Sequence, residues 1–126
     1  MLILTKLAIA VLVAFCLGFA HANDHDQAYI NAAVADTATT WGAIASGAGY
    51  ESNPIGFPAV TLAKVAVYQY AKSLPAEEGG ELLDVTTAAM GGAAVNNLLV
   101  VLGAATGASV VAGLVAYFVI RNDQND

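Results

Sequence analysis

Apolar residues fill three long runs of the chain, and short polar stretches separate these runs. Residues 27–49 are small and apolar with Asp36 as their only charge, residues 55–74 carry Lys64 near the middle, and residues 82–120 carry one charge, near their start. A helix of about 20 apolar residues is long enough to cross ~30 Å of hydrocarbon. The pattern therefore predicts an all-α fold, a small integral membrane bundle of three or four transmembrane helices.

The number of spans depends on the last run, because residues 82–120 are too long for one span of about 20 residues. Either the Gly, Thr and Ala residues at 103–107 break the run into two spans, or one long helix extends beyond the membrane. We favour the break, since glycine is a poor helix former. Residues 73–81 combine a proline, three glutamates and a glycine pair, which predicts an aqueous loop, and residues 121–126 are expected to be a polar, frayed tail.

The N-terminus has the features of a secretory signal peptide. Lys6 supplies the positive charge, residues 7–19 the apolar stretch, and an A-x-A processing site ends the segment at residue 22. The alternative is an uncleaved signal anchor, because the same stretch is nearly long enough to span. We expect residues 1–22 to direct export through the secretory pathway into a bacterial inner membrane, and residues 23–120 to be the helical membrane domain.

The orientation of the helices is left open by the sequence. Residues 27–49 owe their hydrophobicity to alanine rather than leucine, so on their own they would insert poorly. If they span, Lys72 falls outside the cell, against the positive-inside rule; if they lie along the interface, Lys72 falls inside.

Composition narrows the class of function. Hydrophobic residues make up 58% of the chain and charged residues 11%, which favours a bilayer over water as the solvent. Four Lys and Arg residues against ten Asp and Glu residues leave no basic surface for nucleic acid. One cysteine, Cys16, cannot form an intramolecular disulfide, and two histidines near the processing site do not suffice for a zinc centre. We therefore expect no catalytic activity, no metal and no cofactor.

The most informative polar residues are Asp36 and Lys64, which fall at similar depths in the first two runs. An ionisable group in the middle of a span costs ~2.5–3.5 kcal/mol on insertion scales, so such groups usually face the bundle interior and pair. The sequence predicts an intramembrane ion pair between them. Its role is either a proton or ion relay or a packing contact that sets the helix register, and we favour the packing contact.

Small and polar residues along the three runs are candidates for helix packing. Hydroxyl and amide side chains can bond across helices, and small residues spaced by four let backbones approach closely. The candidates are Thr37, Thr40, Ala43, Gly47, Asn97, Gly103 and Gly107.

Several short strings together resemble a known family. They are A-D-T-A-T-T-W-G at residues 35–42, G-Y-E-S-N-P-I at residues 49–55, Lys64 in the next run and V-N-N at residues 95–97. These strings are similar to the small bacterial membrane proteins of unknown function grouped as domain-of-unknown-function family 5658. The positions matching that family are Asp36, Thr37, Thr40, Glu51, Asn53, Pro54, Lys64 and Asn97.

The resemblance implies three or four spans and no particular activity. The E-x-N-P string is also a physically good turn, because Asn53 favours turn initiation and the residue before Pro54 is pushed out of the helical region. Glu51 can cap the following helix or remain solvated.

The sequence favours a structural or accessory integral membrane protein that acts through helix–helix contacts. Its expected partners are the lipid bilayer and either a second copy or another membrane protein. Two alternatives are a small oligomeric pore-former, such as a holin or ion channel, and a membrane component of a virion or secretion apparatus.

Overall fold

The computed structural model describes residues 24–48, 56–104 and 106–125, which contain four α-helices. They are α1 (His25–Ala45), α2 (Gly56–Ser73), α3 (Ala76–Val101) and α4 (Thr106–Asp123). The described part of the chain is therefore all-α, as the apolar runs predicted. The signal-peptide prediction for residues 1–22 falls outside the described residues.

Three of the helix starts match a local sequence signal. The Asp24 side chain caps α1 by accepting a hydrogen bond of 3.0 Å from the backbone N–H of Asp26. Pro58 lies in the first turn of α2, where its missing N–H costs nothing. Glu77 and Glu78 lie in the first turn of α3, where the helix dipole favours negative charge. The predicted aqueous loop at residues 73–81 is thus wrong beyond Pro75, because its acidic residues begin a helix.

Glycines in the left-handed conformation end two of the helices. Gly47, with φ of +71°, follows α1, and its N–H donates to the carbonyl of Ile44 at 3.1 Å. Gly103, with φ of +81°, follows α3, where its N–H donates to Val100 and that of Ala104 donates to Leu99. This pattern is a Schellman motif, which glycine favours because it lacks a Cβ. The predicted break at residues 103–107 is confirmed.

Helix α3 lies at the centre of the bundle. It packs extensively against α1 and α4 and less against α2, while α1 and α2 approach each other mainly through long side chains. Helices α1 and α3 run parallel, since His25 contacts Asp84 and Thr40 contacts Asn97. Consequently the start of α1, the turn between α2 and α3, and the end of α4 lie together at one end of the bundle.

Two glycines allow α3 and α4 to cross at backbone contact. A Cβ placed on Gly92 would lie 2.6 Å from the carbonyl oxygen of Gly113, and one on Gly113 would lie 2.7 Å from that of Gly92. Real Cβ atoms do not approach an oxygen this closely, so both positions require glycine at the observed helix separation.

The buried residues are mostly small. Alanine supplies most of the buried apolar positions, and the larger buried side chains include Tyr29, Leu83, Val95 and Ile120. None of the helices in the described ranges is both long enough and apolar enough to span a membrane. The predicted polar tail at residues 121–126 begins inside a helix, because α4 continues to Asp123.

Candidate functional site

The ion pair between Asp36 on α1 and Lys64 on α2 forms the centre of the candidate site. The Lys64 Nζ atom lies 2.8 Å from Oδ2 of Asp36, and the two side chains are 14% and 13% exposed. The geometry brings together the two residues that the sequence paired. Because both charges are largely removed from solvent, each depends on the other for compensation.

Three more polar side chains complete the site and join a third helix to it. Lys64 Nζ donates to Thr37 Oγ1 at 2.9 Å, and Asn97 Nδ2 on α3 donates to Thr40 Oγ1 at 2.8 Å. A longer contact of 3.5 Å runs from the same Asn97 nitrogen to Oδ1 of Asp36. The network therefore connects α1, α2 and α3, and all five of its residues were singled out from the sequence.

Tyr29 belongs to the site but was not predicted from the sequence. Its side chain is buried, its hydroxyl donates to the backbone carbonyl of Lys64 at 2.6 Å, and its ring centroid lies 5.7 Å from that of Tyr68. Tyr29 thus fixes the backbone of α2 at the residue that carries the cation. The sequence feature that could have identified Tyr29 is its spacing from Asp36: seven residues are two helical turns, so both residues lie on one face of α1.

The arrangement favours a packing role over a proton relay. The other buried residues of α1 and α3 include Ala32, Ala88 and Ala94, which carry no group that transfers a proton, and Thr87, whose buried hydroxyl has no hydrogen-bond partner among the described residues. The charges are also neutralised within the cluster itself. Its chemistry is that of a fixed polar contact between three helices.

A second set of polar contacts closes one end of the bundle. His25 Nδ1 lies 2.6 Å from Oδ1 of the buried Asp84, joining α1 to α3. Lys72 pairs with Asp26 and joins α2 to α1. The third pair, Arg121 with Glu81, joins α4 to α3. Apart from Asp36 and Lys64, all charged residues in the described ranges belong to this end.

The Lys72 pair makes this end sensitive to acid. The Lys72 ammonium donates to Oδ2 of Asp26 at 2.8 Å, which lowers the pKa of the Asp26 carboxyl below its ordinary value. A lowered pKa stabilises the folded state above the unfolded pKa, and that stability is lost as pH falls through the folded pKa.

We expect the stability difference between wild type and Lys72→Met to be present at about pH 6 and to disappear toward about pH 2. Chemical unfolding of both proteins across this range measures the difference. A difference that stayed constant with pH would contradict the assigned role of the Asp26 carboxylate.

The predicted packing residues have different outcomes. Ala43 is buried at 6% exposure, in agreement with the prediction. Gly47 and Gly103 lie in helix-ending turns, and a Cβ added to either would meet no described atom within 4 Å, so neither packs against another helix of this bundle. The same holds for Gly107, and a role of these glycines in self-association stays a prediction. The close helix contact is made instead by Gly92 and Gly113, which the four-residue spacing did not identify.

Other predictions fall outside the described ranges or concern ligands. Glu51, Asn53 and Pro54 lie in residues 49–55, which the structure does not describe. Within the described ranges, no group of three or more His, Cys, Asp or Glu residues is arranged to hold a metal ion.

We compared the chain with protein-family models, curated proteins and solved structures. No family model matches the chain, and neither a curated protein nor a solved structure is found to be similar to it. The resemblance to domain-of-unknown-function family 5658 therefore stays a prediction.

Proposed function

We propose that this chain is a structural or accessory protein of a bacterial membrane that acts through helix–helix contacts, with lipid covering the outer surface of its helices. The supporting observation concerns four helix segments, residues 34–45, 58–68, 85–101 and 107–119, which we call the central band; the exposed polar residues Gln27, Asn31 and Gln69 lie just outside it, toward the charged end. Every exposed residue in this band is apolar, and every polar residue in it is at least partly buried. A protein surrounded by water would place polar residues on such a surface, whereas one surrounded by lipid would place them inside.

The sizes of the side chains support the same proposal. The interior is built mainly from alanine and glycine, as is common where helices pack within a bilayer. Large apolar side chains lie outside, and a soluble monomer rarely exposes such residues over a wide continuous surface. Those more than half exposed in the band are Val34, Trp41, Leu62, Val65, Val111, Leu114, Val115 and Phe118.

The modest hydropathy of the individual helices has an explanation in this proposal. Asp36, Lys64 and Asn97 lower the mean hydropathy of the helices that carry them, yet their side chains bond to one another across three helices. The surface offered to lipid is then more apolar than the helix average. At ~1.5 Å per residue, the 21 residues of α1 extend about 32 Å, of which the part inside the central band, residues 34–45, extends about 18 Å, shorter than a hydrocarbon core of ~30 Å.

The end that carries the Lys72–Asp26 and Arg121–Glu81 ion pairs and the His25–Asp84 contact would then lie among headgroups and water. Its exposed acidic residues are Asp24, Glu77, Glu78, Glu81 and Asp123, all outside the central band. Pore formation is the weaker candidate, because the charged residues of the band, Asp36 and Lys64, bond to each other across two helices of the same bundle. No polar stripe is left on the described outer faces of the band to line a water-filled channel.

Trp41, the one tryptophan of the chain, allows a direct test. It lies on the outer surface of the band and is 60% exposed. In vesicles, we expect lipids brominated on their acyl chains to quench its fluorescence strongly and aqueous acrylamide to quench it weakly. Both are measured by titrating the quencher into reconstituted protein.

A matched control moves the fluorophore to the charged end. In a Trp41→Phe, Glu78→Trp variant, the tryptophan should become accessible to acrylamide and lose its quenching by acyl-chain bromine. Strong acrylamide quenching of Trp41 in vesicles, equal to that at position 78, would overturn the membrane proposal.

A further inference from the structure

The predicted processing site would leave a histidine at the third position of the mature chain. Cleavage after Ala22 makes Asn23 the first residue, so the mature protein begins with Asn23, Asp24 and His25. A free amine followed by a histidine two residues later offers four nitrogens to one cation. They are the amine, the backbone nitrogens of Asp24 and His25, and the imidazole Nδ1. Nitrogen ligands in a square plane are the set that suits Cu(II) and Ni(II).

This ligand set is not visible in a count of side chains. Three of its four nitrogens belong to the main chain or to the chain terminus. The expectation of no metal rested on side-chain ligands, as does the absence of a three-residue His, Cys, Asp and Glu cluster from the described ranges. Neither observation therefore excludes a site built on the mature N-terminus.

The described part of the motif lies where a cation can reach it. Asp24 and His25 are both exposed, and the His25 side chain is 59% exposed. His25 is also the first residue of α1, and the first four N–H groups of a helix have no partner within that helix. Coordination through the backbone nitrogens of Asp24 and His25 therefore removes no N–H donor from the helical hydrogen bonds.

In the metal-free protein, the same residues fix the start of α1. His25 Nδ1 lies 2.6 Å from Oδ1 of the buried Asp84, and the carbonyl of Asp24 accepts a bond of 2.9 Å from the N–H of Ala28. Asp24 is extended, with ψ of 122°, which turns its nitrogen away from that of His25. A cation that binds both nitrogens must rotate Asp24 and take Nδ1 from Asp84, so binding competes with these contacts.

We propose that the mature N-terminus binds Cu(II) or Ni(II) through these four nitrogens, and that binding releases His25 from Asp84. The two backbone nitrogens bind as deprotonated amides, so each loses a proton to solvent. Each contact that must break weakens binding by about tenfold, and Cu(II) is the divalent ion best able to offset this loss. The inference rests on cleavage after Ala22 and does not depend on whether lipid surrounds the bundle.

The site can be tested on the exported protein, purified from membranes in detergent without an N-terminal tag. The intact mass identifies the first residue. Titration with copper(II) chloride should then give one tightly bound ion per chain. Its visible absorption band should have the shorter wavelength of square-planar copper with four nitrogen ligands, compared with hydrated Cu(II). An equal concentration of Zn(II), which prefers a tetrahedral site, should leave this band unchanged.

The matched control changes only the spacing of the ligands. An alanine inserted between Asn23 and Asp24 keeps the free amine and every side chain but moves the histidine to the fourth position. We expect this variant and His25→Ala to lose the absorption band. Their affinity for Cu(II) should fall by more than about 100-fold, since the loss of an outer-shell partner alone costs about 10–100-fold.

The contact with Asp84 gives a test in the opposite direction. Asp84→Asn removes the anionic competitor for Nδ1, so Cu(II) should bind about tenfold more tightly than to wild type. Competition with a chelator of known copper affinity measures the change. A loss of affinity that merely followed from damage to the fold would have the opposite sign.

Three results would overturn the proposal. A purified chain that does not begin at Asn23 lacks the required amine. Equal copper binding by wild type and the insertion variant would show that other groups, such as the exposed carboxylates, hold the metal. Unchanged or weaker binding by Asp84→Asn would show that His25 is not released. The quenching of Trp41 does not enter any of these results, so the membrane proposal is tested separately.

Discussion

Replacing Lys64 by methionine is expected to lower the free energy of unfolding by about 3–5 kcal/mol, the usual cost of leaving one partner of a buried ion pair without its counter-charge. Asp36 would then keep a carboxylate inside the bundle with only the longer Asn97 contact to it. The double variant Asp36→Asn, Lys64→Met should recover most of this loss, because it buries no unpaired charge. Denaturant titration of the three proteins in one detergent measures the effect.

The chain provides an internal control for this prediction. Lys72 forms a second Lys–Asp pair between the same two helices, with an equal N–O distance of 2.8 Å. Its side chains are 51% and 29% exposed, against 14% and 13% at Lys64, so solvent screens the pair. Lys72→Met should therefore change stability far less than Lys64→Met. Equal losses at the two lysines would show that burial does not set the strength of the Lys64 pair.

Replacing Gly92 or Gly113 by alanine is the second change with a large expected effect. The added methyl group would lie 2.6 or 2.7 Å from a backbone oxygen of the facing helix, so α3 and α4 must move apart. Overpacking of this kind costs about 1–3 kcal/mol. Backbone displaces less readily than a flexible side chain, so we expect the upper part of this range, partly offset by the higher helix propensity of alanine.

Gly107→Ala is the matched control, because it makes the same substitution in α4 without a close contact. No atom lies within 4 Å of its added Cβ, and its φ is not positive. Because Gly107 lies in the first turn of α4 rather than in its interior, alanine should stabilise this position by less than about 1 kcal/mol. Denaturant titration compares the three variants. If Gly107→Ala destabilised the protein as much as Gly92→Ala, then Gly107 would be a contact position and the assigned crossing point would be wrong.

The helices were predictable because their signals are local. Apolar runs, the Asp24 cap, Pro75 and the glycines at 47 and 103 act within a few residues of where they stand. The loop prediction at residues 73–81 failed for a related reason. Acidic residues suit both a solvated loop and the first turn of a helix, so the composition of this segment did not distinguish the two.

The polar site was also predictable, because burying a charge within an apolar run requires a partner. Asp36 and Lys64 are isolated ionisable residues in neighbouring runs, so their pairing followed from energetics rather than from detailed geometry. The backbone bond from Tyr29 to Lys64 could not be predicted in this way. A tyrosine hydroxyl has many possible acceptors, and only the register between the helices selects one.

The sequence by itself determined the all-α class, the helix break at residues 103–107 and the pairing of Asp36 with Lys64, since these follow from helix propensity and from the cost of burying a charge, but it misplaced the start of α3 and the end of α4. Only the tertiary structure decided which glycines form the helix contact. Gly103 and Gly107 have the usual four-residue spacing, but Gly92 and Gly113 meet because the crossing point of two helices depends on the whole bundle. Only the tertiary structure also decided that α2 packs less extensively than the other helices, because the burial of a helix depends on the helices around it.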